Sequence, residues 1–135
     1  MSNSVLVDSS VLLDIATADP IWCNWSEHAL EQAAESSVLM INPLIYAEVS
    51  VGFERIEDLE VALSRDLFRR EALPYEAAFL AGKAFLTYRR RGGLRHSPLP
   101  DFYIGAHAAI NGCQLLTRDS ARIRTYFPTV KLICP

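Results

Sequence analysis

Four acids in this sequence stand where carboxylates could act together: Asp8 in Leu6-Val7-Asp8-Ser9-Ser10, Glu48 in Tyr46-Ala47-Glu48-Val49, Asp101 in Pro100-Asp101-Phe102, and Asp119 in Thr117-Arg118-Asp119. Carboxylates gathered in one pocket repel each other, and burial disfavours their charged forms, so such a cluster makes sense when a cation joins it. All-oxygen ligands without His or Cys suit Mg2+ or Mn2+ and not Zn2+. Mg2+ keeps several waters and commonly meets phosphate oxygens. A metal clamp on a phosphodiester, with an activated water attacking in line, is a recurring solution for nucleases.

Whether these acids meet depends on the elements that carry them. Ser4–Val7 reads as a short buried strand that runs straight into Asp8, and Val11–Ala16 reads as a short helix. Trp22–Glu35 has helical spacing, with Trp22, Trp25, Ala29 and Ala33 on one side and Glu27, Glu31 and Glu35 on the other. Val38–Ile41 is a second buried strand; Asn42 then caps a helix with Pro43 in its first turn, ending near Gly52. Glu57–Arg69 is expected as a charged helix with Leu59, Leu63 and Leu67 on one face, and Tyr75–Arg90 as another that stops at Gly92-Gly93. Ser97-Pro98-Leu99-Pro100 is a rigid connector, after which a helix runs to about Asn111. Cys113–Leu116, the short helix Ser120–Tyr126 and the strand Val130–Cys134 complete the chain. Continuously apolar strands alternating with helices predict a single α/β domain over residues 1–135, with a parallel sheet and helices on both faces.

In an open parallel sheet, sites form at the carboxyl ends of the strands. Asp8 ends the first strand, and Asp119 follows the Cys113–Leu116 strand with Thr117 and Arg118 between, so connectivity alone puts both at one edge. Glu48 and Asp101 reach that edge only if their helices are suitably oriented. Each acid also has a plainer reading: Asp8 as a helix N-cap, Glu48 as a solvated helix residue, Asp101 as a first-turn acid favoured by the helix dipole, Asp119 as a cap of the short helix. Asp14 lies four residues after Ser10 on the same helical side, and its expected role is surface or structural. His28, His96 and His107 have no metal-ligand spacing and are not assigned to catalysis.

Bulk properties narrow the partners. The formal charge is −3, so the chain is not a globally basic nucleic-acid binder. Cations are nevertheless concentrated in Arg89, Arg90, Arg91 and Arg95, and Arg118, Arg122 and Arg124 approach from the other end of the chain. Arg89, Arg90, Arg91, Arg95 and Arg118 are candidate RNA contacts, against the plainer reading of a solvated, dipole-favoured helix end. The three widely spaced cysteines form no ligand or disulfide pattern and read as reduced, buried thiols of a cytoplasmic protein. No apolar run is long enough to span a membrane, and no secretory leader is visible.

Taken in order and spacing, "VDSSVLLDI", "NPLIYAEVSVGF", "PLPDFYIGAHAAINGCQLLTRD" and "VKLICP" resemble a PIN domain, specifically a VapC-type toxin ribonuclease. The resemblance runs from Ser4 to Cys134, nearly the whole chain. It implies a three-layer fold with a central parallel sheet of four to five short strands, and a Mg2+- or Mn2+-dependent nuclease site of three or four acids. Matching positions are Asp8, Glu48, Asp101 and Asp119 as metal-holding, catalytic acids. Ser10 matches a small polar residue two after the first acid, often Asn in the family, and Thr117 a hydroxyl two before the last. The resemblance further implies cleavage of tRNA, rRNA or mRNA to 5′-phosphate and 3′-hydroxyl ends, restraint by a small antitoxin that binds operator DNA, and a homodimer. Two other classes remain open: a receiver-like phosphoacceptor module, which needs an Asp ending a middle strand where this chain offers only "VLMINP", and a non-catalytic binding protein on the same scaffold.

Overall fold

The structure, a computed structural model, describes residues 3–93 and 99–135. Arg95, His96, Ser97 and Pro98 lie outside the described residues. The elements follow in the order β1 (Ser4–Val7), α1 (Ser9–Ala16), α2 (Cys23–Ser36), β2 (Val38–Ile41), α3 (Pro43–Ser50), α4 (Ile56–Ala62), β3 (Phe68–Arg70), α5 (Tyr75–Arg90), α6 (Leu99–Asn111), β4 (Gln114–Leu116), α7 (Ala121–Tyr126) and β5 (Leu132–Ile133).

The five strands form one sheet in the order β3-β2-β1-β4-β5, every pairing parallel. Val5, Leu6 and Val7 of the central strand have no exposed surface, and Leu39, Met40, Ile41, Leu115 and Leu116 are buried beside them. Strands buried on both faces read as continuous apolar runs, which is why they are short, uninterrupted and legible. The chain steps one way from β1 through β2 to β3, then crosses back to β4 and β5. Right-handed crossovers place helices from these two halves on opposite faces. The contacts agree: α1 packs with α2 and α3, and α3 with α4, while α6 packs with α5 and α7. The direction reverses between β1 and β4, and crevices that bind ligands open at such a switch point.

The expected helix Glu57–Arg69 is not formed. α4 stops at Ala62, Leu63 turns out of helical geometry at φ −108° and ψ 48°, and Phe68–Arg70 is the edge strand β3. Leu59 and Leu63 are buried as the stripe requires, but Leu67 is half-exposed, and the core residue is its neighbour Phe68. Pairing with β2, from Leu39↔Phe68 to Ile41↔Arg70, covers an edge that would otherwise stay open. Two boundaries shift less: α1 starts at Ser9 because Asp8 caps it, and β5 is reduced to two residues. Of the three cysteines, all free, only Cys113 is buried; Cys23 and Cys134 are half-buried, which corrects the expectation for those two. Among the described residues no helix is long and apolar enough to cross a membrane.

Gly105 sets how closely α6 approaches α7. A β-carbon there would lie 2.6 Å from Cδ2 of Phe127 and 2.9 Å from Cδ1 of Ile123. This close approach brings the start of α7, with Arg122, beside Asp101 in the first turn of α6.

Candidate active site

Asp8 is both a helix cap and the centre of the site. Its backbone N–H continues the sheet by donating to Leu116 O at 2.9 Å. Its Oδ1 accepts from the Ser9 N–H at 2.9 Å, capping α1, and its Oδ2 accepts from Ser10 Oγ at 3.0 Å and Thr117 Oγ1 at 2.8 Å. The two hydroxyls also accept from the opposite loop: Ser10 Oγ from the Arg118 N–H at 3.2 Å, and Thr117 Oγ1 from the Asp119 N–H at 3.1 Å. Ser10 and Thr117 thus hold the first acid while tying α1 to the loop after β4. Burial drives the Asp8 carboxyl above the usual carboxylate range despite these bonds, and the negative charge of Asp101 pushes the same way.

Glu48 and Asp101 arrive from the helices that follow β2 and precede β4. Glu48 Oε1 accepts from Ser9 Oγ at 2.8 Å, so consecutive serines serve two different acids. Burial raises its carboxyl, and the charges of Asp8 and Asp101 add to the rise. Asp101 Oδ2 accepts from Arg122 Nη1 at 3.0 Å. Its carboxyl is also raised, chiefly by burial, with Arg122 opposing and Asp119 reinforcing. The charge of Asp101 thus acts on both Asp8 and Glu48, although the three come from separate elements.

A cavity of about 520 Å³ opens beside them, lined by Asp8, Asp101, Thr117, Arg118, Asp119 and Arg122 among others. Glu48 is not part of this lining and reaches Asp8 through Ser9. The Asp119 side chain is 73% exposed, with Arg118 Nη1 at 3.6 Å. Asp119 does not cap α7, whose N-cap is Ser120 without a side-chain bond. Among the described residues, no three His, Cys, Asp or Glu side chains form a ready-made ion cage. Each carboxylate instead leans on its own partner: Asp8 on hydroxyls, Glu48 on Ser9, Asp101 on a guanidinium. As a donor set these acids fit a hard divalent cation, because they offer carboxylate oxygens and, among the described residues, the cavity lining has no imidazole or thiol.

Three features of the site were not read in the sequence. Ser9 as the partner of Glu48 carries no motif of its own, and the Arg122–Asp101 pair joins residues 21 apart. The third is the setting of Asp14. It is buried, 2% exposed, and pairs with Arg118 through Nε at 2.9 Å and Nη2 at 3.0 Å, while Ser26 Oγ donates to it at 2.8 Å. The Arg118 guanidinium also lies 5.5 Å over the Trp22 ring. Asp14 is thus structural, locking α1, α2 and the loop after β4 together, and Arg118 is largely committed to it. Arg89, Arg90 and Arg91 stand exposed at the end of α5, with Arg89 over Phe85 at 5.9 Å and Arg91 over Tyr126 at 5.5 Å. His107 is fully buried, with Nδ1 2.9 Å from Asn42 Nδ2, and burial pulls its pKa down, which leaves it neutral and outside the site. At the end of β2 stands Asn42, whose Oδ1 caps α3 through the Ile45 N–H at 2.8 Å, so that strand end carries no phosphoacceptor.

The PIN domain family model matches residues 5–128. Comparison with curated proteins finds no match. Among solved structures, the chain is similar to VapBC2 from Rickettsia felis bound to a promoter DNA fragment, with TM-score 0.74, 15% identity and 98% of each chain covered. It is also similar to VapBC-1 from nontypeable Haemophilus influenzae, with TM-score 0.72, 14% identity and 97% of each chain covered. A third similar structure is Mycobacterium tuberculosis VapC20, described as a sarcin-ricin loop cleaving toxin, with TM-score 0.63, 18% identity, and coverage of 94% of this chain and 98% of that one.

Proposed function

Because the chain belongs to the PIN domain family, we propose that it is a divalent-metal-dependent endoribonuclease acting as the toxin of a toxin–antitoxin pair. The observation that carries this reading is the convergence of acids from separate elements on one open cavity: Asp8, Asp101 and Asp119 line it, Glu48 joins Asp8 through Ser9, and burial raises the carboxyls of Asp8, Glu48 and Asp101. Groups arranged against their own ionisation are held so for a purpose, and a cation offsets the cost.

Asp8, Glu48 and Asp101 would hold Mg2+ or Mn2+, with Asp119 completing the site from the rim. The cation supplies Lewis acidity and an activated water at a phosphodiester. Ser10 and Thr117 fix the Asp8 carboxylate, and Ser9 fixes Glu48. Arg89, Arg90 and Arg91 offer cations for an RNA backbone at an exposed helix end. No side-chain nucleophile is required, and the products carry 5′-phosphate and 3′-hydroxyl ends. Similar structures that are toxin–antitoxin complexes support a small antitoxin as partner. A second copy of the chain is the other expected partner.

The test is incubation of the purified chain with total tRNA and ribosomal RNA in Mg2+, beside Asp8→Asn and Asp101→Asn. Cleavage that requires Mg2+ and is lost in both variants supports the assignment. Equal cleavage by wild type and variants refutes the site.

A further inference from the structure

Two arginines line the cavity, and their commitments differ. Arg118 spends two donors on Asp14 and the flat face of its guanidinium on Trp22. Arg122 makes one hydrogen bond to the described residues, from Nη1 to Asp101 Oδ2 at 3.0 Å. A guanidinium carries five N–H donors, so most of the Arg122 fork is unspent. Its position is nonetheless fixed, because it lies 5.4 Å over the Tyr88 ring and 5.9 Å over the Phe102 ring. The side chain is 37% exposed and lines the same cavity as Asp8 and Asp119.

We propose that Arg122 is an exchangeable counter-ion: it neutralises Asp101 while the carboxylates hold no divalent cation, and donates to a non-bridging oxygen of the RNA phosphate once Asp101 turns its charge to one. This rests on the nuclease reading above. The geometry supplies both states. A guanidinium on a carboxylate meant for a cation competes electrostatically with that cation. When the carboxylate is engaged elsewhere, the guanidinium keeps its aromatic seat and presents a planar fork of donors to the cavity, the arrangement that suits phosphate. A pair without aromatic neighbours would exchange in the same way but would not be held in place. Here the rings of Tyr88 and Phe102 keep the released cation at the site.

The inference predicts opposite effects on cation and RNA. With RNA absent, Arg122→Met, which keeps an apolar stem against the two rings, binds Mn2+ about fivefold or more tightly than wild type, as expected for removal of a coupled cation. Free Mn2+ measured by electron paramagnetic resonance reads this directly. In the same variant RNA affinity in Ca2+ falls, and kcat/KM for cleavage in Mn2+ falls by about tenfold or more. Arg122→Lys keeps Mn2+ affinity near wild type and recovers only part of the cleavage, and it serves if the Met variant fails to fold. Unchanged or weaker Mn2+ binding by a folded Arg122→Met, in a wild type that binds Mn2+ and cleaves, overturns the role of Arg122 alone. A wild type that neither binds Mn2+ nor cleaves overturns both readings.

Discussion

Replacing Asp14 by Asn tests whether the loop after β4 is held by a buried ion pair. The substitution preserves shape and removes one charge. Asp14 is 3% exposed at its side chain, whereas Arg118 is 27% exposed. Removing one partner of a fully buried pair costs about 3–5 kcal/mol, mostly through the charge left without a partner. Arg118 has water on one side and Asp119 within 3.6 Å, so part of that cost is recovered by hydration and by the neighbouring acid. The expected loss is about 2–3 kcal/mol. With an unfolding entropy of about 2.1 cal/mol/K per residue, a chain of 135 residues loses about 7–11 °C in Tm. Differential scanning calorimetry at pH 7 gives the shift. A cycle with Arg118→Met isolates the pair, and the double variant should be less destabilised than the sum of the singles by at least about 1 kcal/mol. Because Arg118 N–H bonds Ser10 and Asp119 N–H bonds Thr117, the Asn variant should also lose cleavage activity with the acids intact. A Tm drop below about 3 °C, together with additive singles, would refute the clamp.

Asp8→Asn is expected to abolish cleavage yet stabilise the metal-free chain at neutral pH, since Asn caps a helix as well as Asp does. The Asp8 pKa is raised in the native state, so its protonated form favours folding below the unfolded value of about 3.9, and that contribution is lost as pH rises through the native value. The stability gain of Asp8→Asn over wild type should therefore grow with pH in denaturant titrations with EDTA; a flat or falling difference counts against it. Thr117→Val removes a donor that holds the Asp8 carboxyl down and an acceptor for the Asp119 N–H. It should cost about 1–2 kcal/mol and move the acidic limb of the pH–rate profile upward. Gly105→Ala forces a β-carbon against Phe127 and Ile123 and should cost about 1–3 kcal/mol by urea unfolding, whereas Gly82→Ala, with nothing within 4 Å of the new carbon, should be neutral or stabilising.

Much of the framework was legible because β1 and β2 are short, largely apolar runs and the starts of α1 and α3 carry side-chain caps. Asn42-Pro43 opens α3 with the expected cap, and Tyr75–Arg90 is helical over the expected span. β3 was not legible, since the spacing of Leu59, Leu63 and Leu67 continues a helix on paper, while burial of Phe68 beside β2 decides the structure. Of the site, connectivity placed Asp8 and Asp119 at one edge. Its internal bonds were hidden because they join residues far apart, such as Thr117 to Asp8 and Arg118 to Asp14, and no local spacing encodes which hydroxyl or guanidinium meets which acid. The cap reading of Asp8 holds, and it occupies only one carboxylate oxygen, leaving the other to the hydroxyls of Ser10 and Thr117.

The central position of β1 has a consequence for the order of synthesis. The strand that ends in Asp8 leaves the ribosome early, but one of its two neighbours, β4, is made more than a hundred residues later. Until then Asp8 lacks Thr117, Asp101 lacks Arg122, and one edge of the middle strand is bare. Pairing over so long a separation is slow, because loop closure precedes any gain from the contact. A nascent chain of this design carries Asp8 from the outset, but the strand and the hydroxyl that set its final geometry arrive only near the end of synthesis.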